Sequence, residues 1–432
     1  MAGLKPKEVD SGAIILTGEA LKRDNARAIA DTIAGESGRF VCATAGHNLE
    51  AVLAAHGSGA AALSYQEKQT ILNVDMGGGT TKLALIHDGD VLATSAINVG
   101  GRLVAVDSEG RLARIEPAAR QVAEHIGLEL QLGQPPAPDT FERLADKLAE
   151  VLVEVVQLSA AGHQHHDRGH GHDHGHEHAH GLSPLAERLM LTPPLHSHHT
   201  IEAITFSGGV SEFLYGHEDR DFGDLGRQLA DALRRRMAAG ALPARLEQAG
   251  ERIRATAIGA SQFTVQVSGN TIDVSSPKLL PLRNLPVIHP RLPKGDGAQP
   301  LAIAQAIRQG FQRLDQVPGE QPVALALSWN GTPSYESLYN LAAGITRGLQ
   351  AGLAAGHPLV VVFNSDCANI IGHILREDLK VTNDVISIDG IELKEFDFID
   401  IGEILQPANA VPVVIKSLVF PALNPDRAEM LD

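Results

Sequence analysis

Cysteine is almost missing from this sequence: Cys42 and Cys367 are the two in 432 residues. Two thiols cannot build a disulfide scaffold, and their scarcity is ordinary for a reducing compartment. Cations are also short. Lysine plus arginine number 36 against 52 aspartates and glutamates, a formal net charge of −16. That sign excludes nucleic acid as the main partner, because phosphate binding needs clustered cations, and it excludes an anionic membrane face. Long apolar runs are lacking as well. Segments such as Leu359–Phe363 fall far below the roughly 20 residues of a membrane helix. Lys5, Lys7 and Glu8 followed by the short run Ala13–Leu16 do not form a signal peptide. The absences leave an acidic, soluble, cytoplasmic globular protein. At about 150 residues per domain it has two large domains or three smaller ones.

What is present alternates. Gly12–Gly18 (GAIILTG) reads as a buried strand, Glu19–Ala34 as a helix ending at Gly35, and Phe40–Gly46 as a second strand. Asn48 is placed to cap a helix running toward Leu63. Thr70–Asp75 is a third strand, and Lys82–His87, Asp88-Gly89 and Val91–Asn98 form a hairpin. Such alternation predicts an α/β layer with a parallel sheet. Ala113–Val156 reads as mainly helical, with a break at Gln134-Pro135-Pro136. Further on, a strand over Ile201–Phe206 precedes Ser207-Gly208-Gly209, and helices are predicted over Leu225–Ala239 and Ile253–Thr264. The proline-rich stretch Pro277–Pro300 is the best domain boundary. Beyond it, strands at Val323–Leu327, Leu359–Phe363, Val385–Ile388 and Val411–Ile415 alternate with helices near Ser334–Leu353 and Ala368–Arg376. No tandem repeat is visible.

The chemistry concentrates in Asp75-Met76-Gly77-Gly78-Gly79-Thr80-Thr81-Lys82. Three glycines let the backbone approach an anion, and successive N–H groups in a tight turn make a concave anion site. Thr80 and Thr81 add hydroxyl donors, and Asp75 is placed to hold a Mg²⁺-bound water opposite the phosphates. The spacing is not that of a Walker A loop. A glycine-rich hairpin entry without a ligand is the plainer alternative. Glu50, in the first turn of its helix, is a candidate for positioning water or metal, or simply a glutamate favoured by the helix dipole. Cys367 reads as a small buried residue rather than a nucleophile.

These residues resemble the actin, Hsp70 and sugar-kinase superfamily, whose second phosphate loop looks like VDMGGGTTKLAL. ITFSGGVSEF resembles its nucleoside-contacting element, with Gly208 and Gly209 allowing close approach to ribose or purine. The helix carrying Glu50, and the small residues of Ala255–Ala260, resemble its two connecting helices. The likeness narrows further. VDSGAIILTGEALKRDNARAIAD, HNLEAVLAAHGSGA, INVGGRLVAVDSEGRL, PLRNLPV and VPVVIKSLVFP look, in order, like the large reactivating factor of ethanolamine ammonia-lyase. That resemblance implies an actin-like ATPase (ribonuclease H-like) α/β fold with an additional C-terminal α/β domain. It also implies ATP and Mg²⁺ as cofactors, and the lyase as partner in a cytoplasm that often holds a microcompartment. The implied task is exchange of damaged, adenosyl-lacking cobalamin for intact coenzyme, through a nucleotide-coupled lobe movement that loosens the lyase's cofactor cavity. ATP hydrolysis, not deamination, would be its chemistry. The domains implied are residues 1–105, a nucleotide-binding lobe; 106–276, a second lobe; and 277–432, the C-terminal domain. A small-molecule kinase and an actin-like structural ATPase use the same glycine loop and stay open as alternatives.

Two departures from the family stand out. The chain starts almost at the segment matching Ser11-Gly12-Ala13, so the family's first strands and Asp-x-Gly-Thr-Thr loop are not seen upstream. Half a phosphate clamp predicts slow ATP hydrolysis and a sheet edge that invites a homodimer. The second departure is His163–His180, where nine of eighteen residues are histidine. It reads as a mobile loop with loose transition-metal affinity through His170, His172, His174, His176, His178 and His180.

Overall fold

The computed structural model describes residues 12–17, 40–161, 181–248, 262–268, 272–293, 298–328, 334–405 and 410–418. The helix read over Glu19–Ala34, the histidine tract and Ala255–Ala260 lie outside the described residues. The described chain falls into two compact units, one from residues 12–49 with 262–418, the other from residues 50–248.

The first unit opens with β1 (Gly12–Thr17) and β2 (Phe40–Ala45), paired in parallel. The chain then enters the helix His47–Gly57, which carries it into the second unit. Asn48 is not the cap of this helix. It lies one residue inside, and the cap is made by Asp315, whose carboxylate accepts from Leu49 N–H at 2.6 Å and from Asn48 Nδ2 at 2.7 Å. Gly46 permits the approach, since a Cβ there would stand 2.6 Å from Asp315 Cβ. The run expected to reach Leu63 is broken by Gly59, at φ 87°, and resumes as the helix Ala60–Glu67.

The second unit is built on β3 (Ile71–Met76), β4 (Thr81–His87), β5 (Asp90–Ile97), β8 (Ala203–Ser207) and β9 (Arg245–Glu247). Their order is β5-β4-β3-β8-β9, with β3, β4 and β5 an antiparallel meander and β8 and β9 parallel to β3 and β8. Numbered within the sheet this is 3-2-1-4-5, the ribonuclease H-like arrangement that the resemblance implies. A hairpin of β6 (Val104–Val106) and β7 (Leu112–Ile115) replaces the start of the helical stretch expected from Ala113, and the helices are Pro117–His125 and Thr140–Ala160. Leu72, Val74, Met76, Leu83, Leu85, Ile204 and Phe206 bury one sheet face against the helices Thr140–Ala160 and Gly226–Ala238. Ala84 and Ile86 on the opposite face pack on Ala51 and Ala55. A division at residue 105 would cut this core, which holds Leu103, Val104 and Leu112 together with the sheet.

The first unit also contains an eight-stranded sheet of order β10-β17-β16-β12-β13-β14-β15-β11. Its strands are β10 (Gln262–Val267), β11 (Asp273–Val274), β12 (Leu282–Ile288), β13 (Ala324–Leu327), β14 (Leu359–Phe363), β15 (Val385–Ile388), β16 (Asp397–Ile401) and β17 (Pro412–Ser417). β12 to β15 run parallel, joined through the helices Pro300–Arg313, Tyr335–Gly348 and Ala368–His373. Two expectations are corrected here. Pro277–Pro300, read as the best domain boundary, lies within one unit and contains the inner strand β12. The helix read over Ile253–Thr264 cannot include Gln262–Thr264, which pair with Ser417–Ile415 in β10 and β17. Gln262-Phe263-Thr264-Val265-Gln266-Val267 alternates with period two, the strand repeat.

Candidate functional site

β3 alternates sharply. Leu72, Val74 and Met76 face the core, whereas Asn73 and Asp75 face the side that carries the helix His47–Gly57. Residues paired directly across a ladder share a face. Asp75 lies between Lys82 on β4 and Ser207 on β8, and Asn73 lies beside Thr205 on β8. The result is a row of buried polar groups at the carboxyl end of the strands. Ser207 Oγ donates to Asp75 Oδ1 at 2.8 Å, and Thr205 Oγ1 donates to Asn73 Oδ1 at 2.9 Å. Asn73 Nδ2 donates to Ser207 Oγ at 3.3 Å, which ties the two pairs into one network.

Asp75 is 5% exposed. Burial pushes its carboxyl above the ordinary range, opposed by the Ser207 hydrogen bond and the Lys82 ammonium, and Glu50 adds to the rise. Lys82 Nζ stands 2.7 Å from Glu50 Oε2, both side chains largely withdrawn from solvent. Glu50 sits in the first turn of its helix, as expected, and that turn brings it over the carboxyl end of the sheet.

The chain leaves β3 into the glycine turn. Gly77 N–H donates to Thr80 O at 3.0 Å and closes it. The carbonyls of Gly77 and Gly78 accept from Gly101 and Arg102 N–H, at 3.0 and 2.5 Å. Gly100 lets that segment lie against the turn, for a Cβ there would meet Gly78 O at 2.4 Å. Gly78 and Gly79 are exposed, and nothing lies within 4 Å of a Cβ built on Gly79. Among the described residues their N–H groups find no backbone acceptor. Thr80 is half-buried at the end of the turn.

Two sequence expectations change. Thr81 is fully buried and its hydroxyl donates to Val99 O at 2.7 Å, so its proton is committed inside the fold rather than offered as a phosphate donor. Gly208 is required by packing: at φ 83° its Cβ would stand 2.4 Å from Met76 O. Its close approach is to β3. Gly209, which opens the helix Gly209–Leu214, has open space instead. The structure therefore brings Glu50, Asp75, Gly77, Gly78, Gly79 and Thr80 to one end of the sheet. It adds Lys82, Ser207 and Asn73, whose signal was the period-two pairing of Asn73-x-Asp75 with Thr205-x-Ser207. Among the described residues no cluster of three or more histidine, cysteine, aspartate or glutamate side chains could hold a metal ion. No described helix is long and apolar enough to cross a membrane.

Comparison with known proteins gives the lineage. The family described as ethanolamine utilisation protein EutA matches residues 1–170 and 176–421. The ethanolamine ammonia-lyase reactivase EutA of Salmonella typhimurium is 35% identical over 424 residues, 98% of this chain and 83% of the relative. The Escherichia coli reactivase of the same name is 36% identical over 429 residues, with the same shares covered. Among solved structures, the ethanolamine utilization protein EutJ from Carboxydothermus hydrogenoformans aligns over 58% of this chain and 63% of its own, at 16% identity and a TM-score of 0.26. By the extent and identity of these sequence matches, the chain belongs to the EutA family of ethanolamine utilisation proteins.

Proposed function

We propose that this chain is a reactivating factor for ethanolamine ammonia-lyase and that the carboxyl end of β3 is its nucleotide site. The lineage supports the first part, since two relatives covering 98% of the chain carry the name reactivase. The observation that carries the second is Asp75, buried at a strand end and followed at once by an open glycine turn.

The residues present fit a hydrated divalent cation and a phosphate chain. Gly79 leaves room for phosphate oxygens against the backbone, and the N–H groups of the exposed Gly78 and Gly79 are the donors such oxygens need. Asp75 presents a carboxylate for a Mg²⁺-bound water, while Ser207 fixes its orientation through Oδ1. Glu50 reaches the same end of the sheet from its helix and is the second carboxylate for ordering a water. When bound, Mg²⁺-ATP supplies the phosphoryl-transfer free energy that drives exchange of damaged cobalamin for adenosylcobalamin. Gly209 has the open space for a ribose or purine. Deamination stays with the lyase.

The test is recovery of turnover. Lyase inactivated with a cobalamin lacking its adenosyl group is mixed with ATP, Mg²⁺ and adenosylcobalamin, with and without this protein. Recovery above the control is the expected result, and recovery that needs no ATP overturns the nucleotide part alone.

A further inference from the structure

Lys82 ends the glycine motif without a role of its own in the sequence-based reading, yet it stands beside Glu50 and the glycine turn. Its ammonium lies between two features that want it. Glu50 Oε2 is 2.7 Å away, and a methyl group placed on Gly77 would stand 4.0 Å from Lys82 Nζ. The cation is thus at the foot of the glycine turn, on the face shared with Asp75. Its side chain is 12% exposed and that of Glu50 7%, so the pair is poorly screened by water.

Asp75 and Glu50 would otherwise leave two carboxylates at a place meant for phosphates. Like charges so close repel an incoming polyanion, and a single buried ammonium offsets one of them. A lysine has a flexible four-carbon stem and a compact, mobile charge, which suits it to changing partners.

We propose that the Glu50–Lys82 pair is a resting-state latch and that Lys82 leaves Glu50 for the terminal phosphate when nucleotide binds. The swap deepens the nucleotide-site reading above and rests on it. In the resting protein Lys82 neutralises Glu50 and holds it still. With a terminal phosphate beside Gly77, the stronger acceptor takes the ammonium, and Glu50 becomes a free carboxylate able to orient water. The residue so assigned is a phosphate-binding cation that positions Glu50 until it is needed. It distinguishes ATP from ADP, because only ATP extends a phosphate to it.

The experiment is a double-mutant cycle read by calorimetric binding of ATP and of ADP, in the presence of Mg²⁺, with melting temperatures recorded alongside. Lys82→Met should weaken ATP binding about 10- to 100-fold, the range for a hydrogen bond to a charged group, and ADP binding far less. Glu50→Gln should tighten ATP binding severalfold, since the competitor for Lys82 is gone. That gain should vanish when Lys82 is already methionine, because it acts through Lys82. Equal ATP affinity in Lys82→Met and the wild type overturns the swap, as does a Glu50→Gln gain that persists in the double variant, which is plain charge repulsion. Should Lys82→Met fail to fold with Glu50 left unpaired, the double variant against Glu50→Gln alone carries the same comparison, and the double must bind ATP at least tenfold more weakly. If the wild type binds neither nucleotide, the site reading itself falls, a result distinct from either of these.

Discussion

Asp75 and Asp397 lie in different units and have nearly the same surroundings. They are 5% and 2% exposed, and each accepts from a serine hydroxyl, Ser207 Oγ at 2.8 Å and Ser417 Oγ at 2.6 Å. Burial pushes both carboxyls up, that of Asp397 to about 6. What separates them is the neighbouring backbone. Asp397 also accepts from Lys394 N–H at 2.7 Å, closing the turn that enters β16, with Phe396 held at φ 72°. Its oxygens are spent on the fold. Asp75 gives one oxygen to Ser207 and is followed by a turn whose outer face is open. A buried carboxylate is therefore not a site by itself; the open backbone beside it makes the difference.

The comparison breaks if Asp75 proves as structural as Asp397. Asp75→Asn keeps an acceptor for Ser207 and removes the charge, so reactivation should slow about 10²- to 10³-fold while the melting temperature stays near that of the wild type. Asp397→Asn should reactivate at the wild-type rate and change pH dependence instead. The folded pKa of Asp397 lies above its ordinary value of 3.8. The native state therefore keeps a proton that the unfolded chain has released, and stability is lost as pH rises from about 4 to 6. A shift of about two units is worth about 3 kcal/mol. Denaturant titrations should show the wild type gaining on Asp397→Asn by up to that amount as pH falls from 7 to 4. A difference that is flat with pH would remove Asp397 from the comparison.

Two glycines sharpen the same contrast. Gly208→Ala should cost about 2 kcal/mol in urea unfolding, because its methyl meets the Met76 carbonyl. Gly79→Ala, facing open space, should leave the urea midpoint unchanged and lower ATP affinity. The smallest effect belongs to Thr81→Val, which loses the bond to Val99 O and about 1 kcal/mol, with ATP affinity unaltered. A large loss of affinity there would return Thr81 to the site.

The motif Asp75–Thr80 was legible because a strand, an aspartate and three glycines form a contiguous signature. Glu50 was legible as a first-turn carboxylate and a candidate for positioning water or metal, but its pairing with Lys82 was not. Lys82 and Ser207 were written inside the quoted motifs but were passed over, since their role depends on ladder register, which one strand read alone does not reveal. Gly208 carries a demand that the motif did not reveal, its close approach to the Met76 carbonyl on the adjacent strand. Among the elements, Leu359–Phe363 and Val385–Ile388 were read to the residue because inner parallel strands are rich in valine and isoleucine, Ser387 being the single polar residue of the two. β12 and β16 were missed, one for its proline and the other for Asp397 and Asp400, whose charges are absorbed by Ser417 and by Lys416 at 2.8 Å. Side-chain partners outside the strand overrode composition.

The cap that Asp315 places on the helix His47–Gly57 sets a clock on biosynthesis. Leu49 and Asp315 are 266 residues apart. At roughly 5–20 residues per second, a ribosome that has made the helix needs about 13 to 53 s more before its cap exists. Residues 50 to 248 of the second unit are synthesised before then, and the described residues of the first unit are not all made. The helix that will carry Glu50 thus spends that interval with its leading N–H groups in water, while the first unit waits for its second half.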